Sequence, residues 1–185
     1  MSNGTRDAEK GVNSRCFLWF GSSITNMDPE EVISFLRSLF SDHMQHVDDK
    51  ILIGIDLCGD VDKIKASYGE NFPIREQFMR NAIRNTGEIL GGDARCILDG
   101  NAEHWEYVAR WDSASRRHMR FVRSKRDGTV VVHIRQGEHI LLGYSYKWTK
   151  KQVEDMVSAS GLRIMRTWTE AGNDSSLYLL KKSLL

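Results

Sequence analysis

Cys16-Phe17-Leu18-Trp19-Phe20-Gly21-Ser22-Ser23-Ile24-Thr25-Asn26 is the stretch on which the fold turns. Five apolar residues of strand length end at a glycine and run into a polar loop. Apolar character on successive residues predicts a strand buried on both faces. Asp28-Pro29-Glu30-Glu31 then reads as a helix start, with an acidic cap, proline at the first helical position and acids in the first turn. Val32, Phe35, Leu36, Leu39 and Phe40 recur at helical spacing. A second apolar, β-branched strand follows at 51–56. The order strand-loop-helix-strand is the unit of a parallel sheet, which places ligand groups at the carboxyl ends of its strands.

Downstream, Asp60 is positioned to cap a helix reaching about Tyr68. Pro73 opens another, with Ile74, Phe78, Ala82, Ile89 and Leu90 on one side and Gly91-Gly92 as its stop. Residues 93–115 give no clear periodicity, and Trp105, Tyr107 and Trp111 are their candidate anchors. Arg126-Asp127-Gly128 predicts a hairpin between strands 117–124 and 129–135. A strand at 140–148, a helix capped by Thr149 and ended by Gly161, and two closing strands at 162–169 and 177–181 complete the pattern.

The bulk numbers are those of a globular chain: 185 residues, 41% hydrophobic, 28% charged. A net charge of +1 gives no electrostatic case for nucleic acid or a membrane surface. The densest basic run, Arg116, Arg117, Arg120, Arg123, Lys125 and Arg126, is either an anion site or a solvated hairpin face, and the second is commoner for such runs. Three cysteines far apart offer neither a disulfide framework nor zinc-ligand spacing, so no metal is expected. Cys16 and Cys58 read as small core residues. Residues 1–14 are polar and read as a disordered lead-in without a signal peptide. No apolar run approaches the roughly 20 residues that span a bilayer, and the cytoplasm is the default compartment.

The phrases LWFGSSITN (residues 18–26) and ILIGIDLCGD (51–60) resemble the histidine-specific N-methyltransferase family. That family includes the ergothioneine-pathway histidine methyltransferase and fungal dimethylallyltryptophan N-methyltransferases. The resemblance covers residues 15 to about 182 as one domain. It implies a truncated class I methyltransferase (Rossmann-like) α/β sheet, with a β-rich substrate lobe inserted at about 93–147. In the family these two phrases are the fourth and fifth sheet strands, so the chain is expected to carry the back half. S-adenosylmethionine (SAM) is held by a strand, glycine-rich loop and helix in the front half, with a carboxylate on its ribose. No such segment precedes Cys16, so the chain is expected to bind no SAM by itself unless a partner completes the site. An unpaired edge along Cys16–Phe20 is further expected to need cover, by a second copy in a homodimer or by a chain carrying the front half.

Residue by residue, the resemblance implies ligand contacts from Gly21, Ser22, Ser23 and Asn26 in the post-strand loop. It adds Tyr68, Phe78 and Asn81 from the helices, and Trp105, Tyr107, Tyr144 and Ser145 from the lobe. Structural roles compete at each: a helix asparagine and a strand-start histidine are commonly just packed or solvated. A further family asparagine aligns with Gly87. In the histidine enzymes a glutamate two residues before the serine holds the imidazole; here that position is Gly143, which argues against histidine as substrate. Candidate proton-transfer groups, by chemical type alone, are Asp56, Tyr68, His118 and Glu138. The leading expectation is an N-methyltransferase of an amino-acid-derived, indole or alkaloid-type small molecule. The alternatives are a SAM-independent isomerase or cyclase of secondary metabolism, a non-catalytic regulator of a full-length relative, and an inactive product.

Overall fold

The computed structural model describes residues 14–68, 73–129 and 133–183. The expected lead-in lies outside these, except for Ser14.

Strand β1 (Cys16–Trp19) leads through a 3-10 turn (Ser23–Asn26) into helix α1 (Pro29–Ser38), extended by a π turn (Leu39–His43). Glu31 reaches back to accept from the Asp28 N–H at 2.8 Å, which fixes the start of α1. Strand β2 (Lys50–Asp56) lies parallel to β1, as the strand-loop-helix-strand order predicts. Helices α2 (Val61–Tyr68), α3 (Pro73–Leu90) and α4 (Ala94–Ile97) follow. Then come strands β3 (Trp105–Asp112), β4 (Arg117–Ser124), β5 (Gly128–Thr129), β6 (His133–Ile134) and β7 (His139–Tyr146). Helix α5 (Lys150–Ala159) and strands β8 (Leu162–Thr169) and β9 (Ser175–Lys182) close the chain.

One sheet runs β1-β2-β9-β8, and β9 is antiparallel to both its neighbours. A second runs β3-β4-β7, and β5-β6 forms a small ribbon. On one face of the first sheet Ile51, Ile53, Ile55, Tyr178 and Leu180 are buried with Val32 and Leu36 of α1 and Val153, Met156 and Val157 of α5. This is the main core. A second core joins Met79 and Ile83 of α3 to Leu98, Trp105, Tyr107 and Val122.

Four expectations are corrected. Strand β1 is not buried on both faces: Cys16 is exposed and Leu18 is 63% exposed, since one sheet face is uncovered here. Cys58 alone of the expected pair is buried. The face that α3 buries is Met79, Ile83 and Gly87, whereas Ile74, Phe78, Ile89 and Leu90 are exposed. Spacing alone selected the larger side chains, but backbone proximity selects the glycine. A Cβ on Gly87 would lie 2.6 Å from the Leu98 carbonyl oxygen, so the asparagine aligned there has no room. Finally, β4 pairs with β7, and the described residues flanking the turn, Gly128–Thr129 and His133–Ile134, pair with each other. Gly128 makes no tight hairpin for β4; a Cβ there would meet Ile97 at 2.7 Å, so its smallness serves packing on α4.

Candidate functional site

The carboxyl ends of β1 and β2 meet the second sheet at a buried polar cluster. The β1 loop is turned by Gly21 (φ 78°) and Ser22 (φ 58°), both left-handed. That turn aims the Ser22 hydroxyl at the end of β2, where it accepts from the Asp56 N–H at 2.8 Å. Thr25 is buried and shares a 3.0 Å hydrogen bond with the Ser145 hydroxyl of β7. Asp56 accepts from Lys147, the residue after β7, whose side chain is 1% exposed. Lys147 also donates to the Tyr68 hydroxyl at 3.1 Å. Loop, strand end and second sheet are thereby tied together by side chains.

His118 of β4 stands opposite Ser145 in the ladder and is 2% exposed. Its ring lies 4.6 Å from the Tyr68 ring. Burial, then the charges of Arg120, Lys147 and Arg75, push its pKa down to about 4. The imidazole is therefore neutral at pH 7, and its Nδ1 has no hydrogen-bond partner among the described residues. Tyr107 is buried and donates to the Tyr68 carbonyl at 2.9 Å, so it holds the end of α2. Tyr146 donates to Asp28 at 2.6 Å, and burial together with that carboxylate pushes its pKa up to about 12. The Arg117 guanidinium lies over Tyr144 and Tyr146, at 5.2 and 5.7 Å.

Asp56, Tyr68, His118 and Ser145 are thus brought together, with Ser22 one hydrogen bond away. Ser23 accepts from the Trp19 indole at 2.7 Å and, like Asn26, is exposed at the loop. Phe78 is exposed and, with Tyr68, lines a cavity of about 310 Å³; Asn81 is half-buried on α3 and is not among that cavity's lining residues. Trp105 belongs to the second core, its indole donating to the Ile97 carbonyl at 3.1 Å. Glu138 lies apart, exposed in the turn before β7, where it accepts from the Arg135 N–H.

Sequence reasoning gave no role to Lys147 or Arg75, counted Thr25 only among the loop hydroxyls, and met Arg120 only within the basic run read as an anion site or a solvated face. Lys147 stood in a quoted phrase, but nothing in spacing marks a lysine as buried. The basic run is only partly solvated: Lys125 is exposed, while the arginines are half-buried. Arg116 donates to the Lys147 carbonyl, Arg120 to the Tyr144 carbonyl, Arg123 to Glu106, Lys125 to the Ala102 carbonyl and Arg126 to the Cys96 carbonyl.

The described residues do not fit a complete SAM site. The β1 loop offers one glycine, and the Ser22 hydroxyl is taken by Asp56. The Asp56 carboxylate is taken by Lys147 and by the Cys58 N–H, so it is not free to pair with ribose hydroxyls. No cluster of three or more metal-ligating side chains exists among the described residues, and no helix there is long and apolar enough to cross a membrane.

The sequence model for a histidine-specific, SAM-dependent methyltransferase matches residues 3–182. The chain is 33% identical over 180 residues to ergothioneine biosynthesis protein 1 of Neurospora crassa, covering 95% of this chain and 20% of that protein. It is 26% identical over 160 residues to the N-methyltransferase imqF of Aspergillus flavus, covering 83% of this chain and 42% of that protein. The chain therefore spans less than half the length of these relatives. A solved SAM-dependent methyltransferase of Clostridium acetobutylicum superposes with a TM-score of 0.50 at 8% identity, over 94% of this chain and 61% of that one. That likeness shows the class I, Rossmann-like fold.

Proposed function

The chain belongs to the histidine-specific, SAM-dependent methyltransferase family, and we propose that it forms the substrate-holding part of an N-methyltransferase of amino-acid-derived metabolites. One observation carries this reading. The β1 loop and the end of β2 are joined to β7 through Thr25–Ser145 and Asp56–Lys147. The carboxyl ends of a parallel pair, where this fold places its ligands, therefore share one site with the second sheet, which we take as the substrate lobe. In this reading Tyr68 and Ser145 of that cluster hold the substrate together with Asn26 of the loop, and the neutral His118 backs the Tyr68 ring.

The donor site is completed, in this reading, by a polypeptide that pairs with the β1 edge and covers the open face of the first sheet. Titration of the 185-residue chain with SAM is expected to give no heat of binding. Addition of a polypeptide carrying the donor-binding half of a relative is expected to give a stable complex that transfers a labelled methyl group to an amine. Stoichiometric SAM binding by the chain alone, or a complex that binds SAM and substrate without transfer, overturns it. The alternative of a SAM-independent isomerase finds no support in the cluster. A pKa of about 4 leaves His118 a poor base at neutral pH, and Asp56 is committed to Lys147.

A further inference from the structure

The hydroxyl protons of Thr25 and Ser145 have one consistent arrangement. Both residues are buried, and their oxygens lie 3.0 Å apart. A hydroxyl carries one proton and two lone pairs. The Thr25 oxygen also lies 2.8 Å from the Ser22 carbonyl oxygen. A carbonyl only accepts, so this contact is a hydrogen bond only when Thr25 gives it its proton. Otherwise two acceptors would face each other at 2.8 Å in a buried place. The Thr25 proton is therefore committed to Ser22. The bond between Thr25 and Ser145 is then made by the Ser145 proton.

Local structure holds both oxygens in place. The left-handed Gly21 and Ser22 lead into the 3-10 turn Ser23–Asn26, which brings the Thr25 side chain back to the Ser22 carbonyl. That carbonyl also accepts from the Thr25 N–H at 3.0 Å. Ser145 is fixed by the ladder between β4 and β7, opposite His118.

What remains for a ligand is one-sided. With its proton on Thr25, the Ser145 oxygen offers lone pairs only. Beside it stands His118, which is buried and whose Nδ1 has no hydrogen-bond partner among the described residues. The cluster thus keeps unused polar groups next to Ser145.

We propose that Thr25 determines specificity through Ser145. It takes the serine proton, so the site admits an N–H or O–H donor at Ser145 and rejects a group that only accepts. Thr25 touches no ligand in this account and is a positioning residue. The proposal deepens the reading above and rests on its placing of Ser145 against the substrate. The proton arrangement is measured without ligand or methyl donor, so its failure is separate from any failure of that reading.

NMR of the full chain locates the hydroxyl protons. A slowly exchanging Ser145 hydroxyl proton with a cross-peak to the Thr25 methyl group is expected. Fragment titrations read the consequence, with shift changes at Ser145 marking the site. The probes are indole, whose single polar group is an N–H donor, and quinoline, a fused ring of similar size whose nitrogen only accepts. Indole is expected to bind more tightly by about tenfold. Thr25→Val leaves the Ser22 carbonyl its backbone N–H and frees the Ser145 proton; it is expected to bring the ratio below about threefold. Thr25→Ser keeps the hydroxyl and is expected to hold the ratio near the wild-type value, a rescue that a packing role alone does not predict. A Ser145 proton directed away from Thr25, equal binding of the two fragments at Ser145 in the wild type, or an unchanged ratio in folded Thr25→Val overturns the proposal. Where neither fragment reaches Ser145, or Thr25→Val fails to fold, the position of the Ser145 proton in the free wild-type chain decides.

Discussion

Lys147 joins the two halves of the site through one ammonium group. It is buried, and its partners Asp56 and Tyr68 come from β2 and α2. Removing one partner of such a pair leaves an uncompensated charge, which costs more than the pair contributes. Because the Asp56 side chain is 32% exposed, water will offset part of that cost. Lys147→Met is expected to lower stability by about 2–3 kcal/mol in urea unfolding at pH 7, and Asp56→Asn in the same chain to restore part of it. An unchanged midpoint in Lys147→Met would remove Lys147 from this role. His118 gives a second prediction, with a definite sign. Its folded pKa of about 4 lies below the ordinary 6.5, so the unfolded chain binds the proton more readily. Its contribution is then complete above pH 6.5 and fades as pH falls from 6.5 to about 4. The shift corresponds to about 3 kcal/mol. Stability measured from pH 7 down to 4.5 should fall more steeply in the wild type than in His118→Gln; parallel curves would contradict the shift.

The elements were legible where local chemistry decides them. Thr149 accepts from the Gln152 N–H at 3.2 Å while the Gln152 side chain accepts from the Thr149 N–H at 2.8 Å. Thr149→Ala is expected to cost about 1 kcal/mol, read as a lowered melting temperature. Pro29, Gly161 and the 171–174 turn likewise mark their boundaries in the sequence, and the parallel pair β1–β2 follows from strand-loop-helix order. Partner choice was not legible. The turn signal at 126–128 competes with pairing between β4 and β7, and only the tertiary contact of Gly128 on Ile97 shows what that glycine is for. The buried face of α3 was misread for the same reason, because its centre is a residue without a side chain. Gly87→Ala puts a methyl group 2.6 Å from the Leu98 carbonyl oxygen. It is expected to destabilise by about 1–3 kcal/mol through displacement of α4, although alanine is the better helix former. A variant as stable as wild type would show that α4 yields freely. The candidate site was legible by residue type at Asp56, Tyr68 and Ser145. It was not legible at Lys147, because burial of a long cation depends on contacts far apart in the chain.

At the scale of the molecule, the described residues cover the first sheet on one side only. Leu18, Phe20, Leu177 and Trp168 are exposed on the other, and Leu177 and Trp168 line a cavity of about 430 Å³ that also takes in Gly21, Ser22 and Gly54. Its neighbouring edge, β1, pairs with β2 alone among the described strands. Apolar area next to a row of N–H and C=O groups that no described strand pairs is both an interaction surface and a liability. The open face begins where the β1 loop begins, so whatever covers it also reaches the carboxyl ends of β1 and β2. This continuity links the assembly proposed above to the site: one polypeptide can hide the face and supply the missing donor contacts. The isolated chain at micromolar concentration is therefore expected to self-associate in light scattering and to bind the dye ANS. Leu18→Lys combined with Leu177→Lys is expected to suppress both while leaving the melting temperature within a few degrees, since neither side chain is in the core. A monodisperse wild-type monomer that ignores the dye would sink the covered-face reading. A defined homodimer abolished by the two lysines would assign the cover to a second copy. Association that the donor-binding half competes away would assign it to that half and bring the loop of β1 into the methyl-donor site.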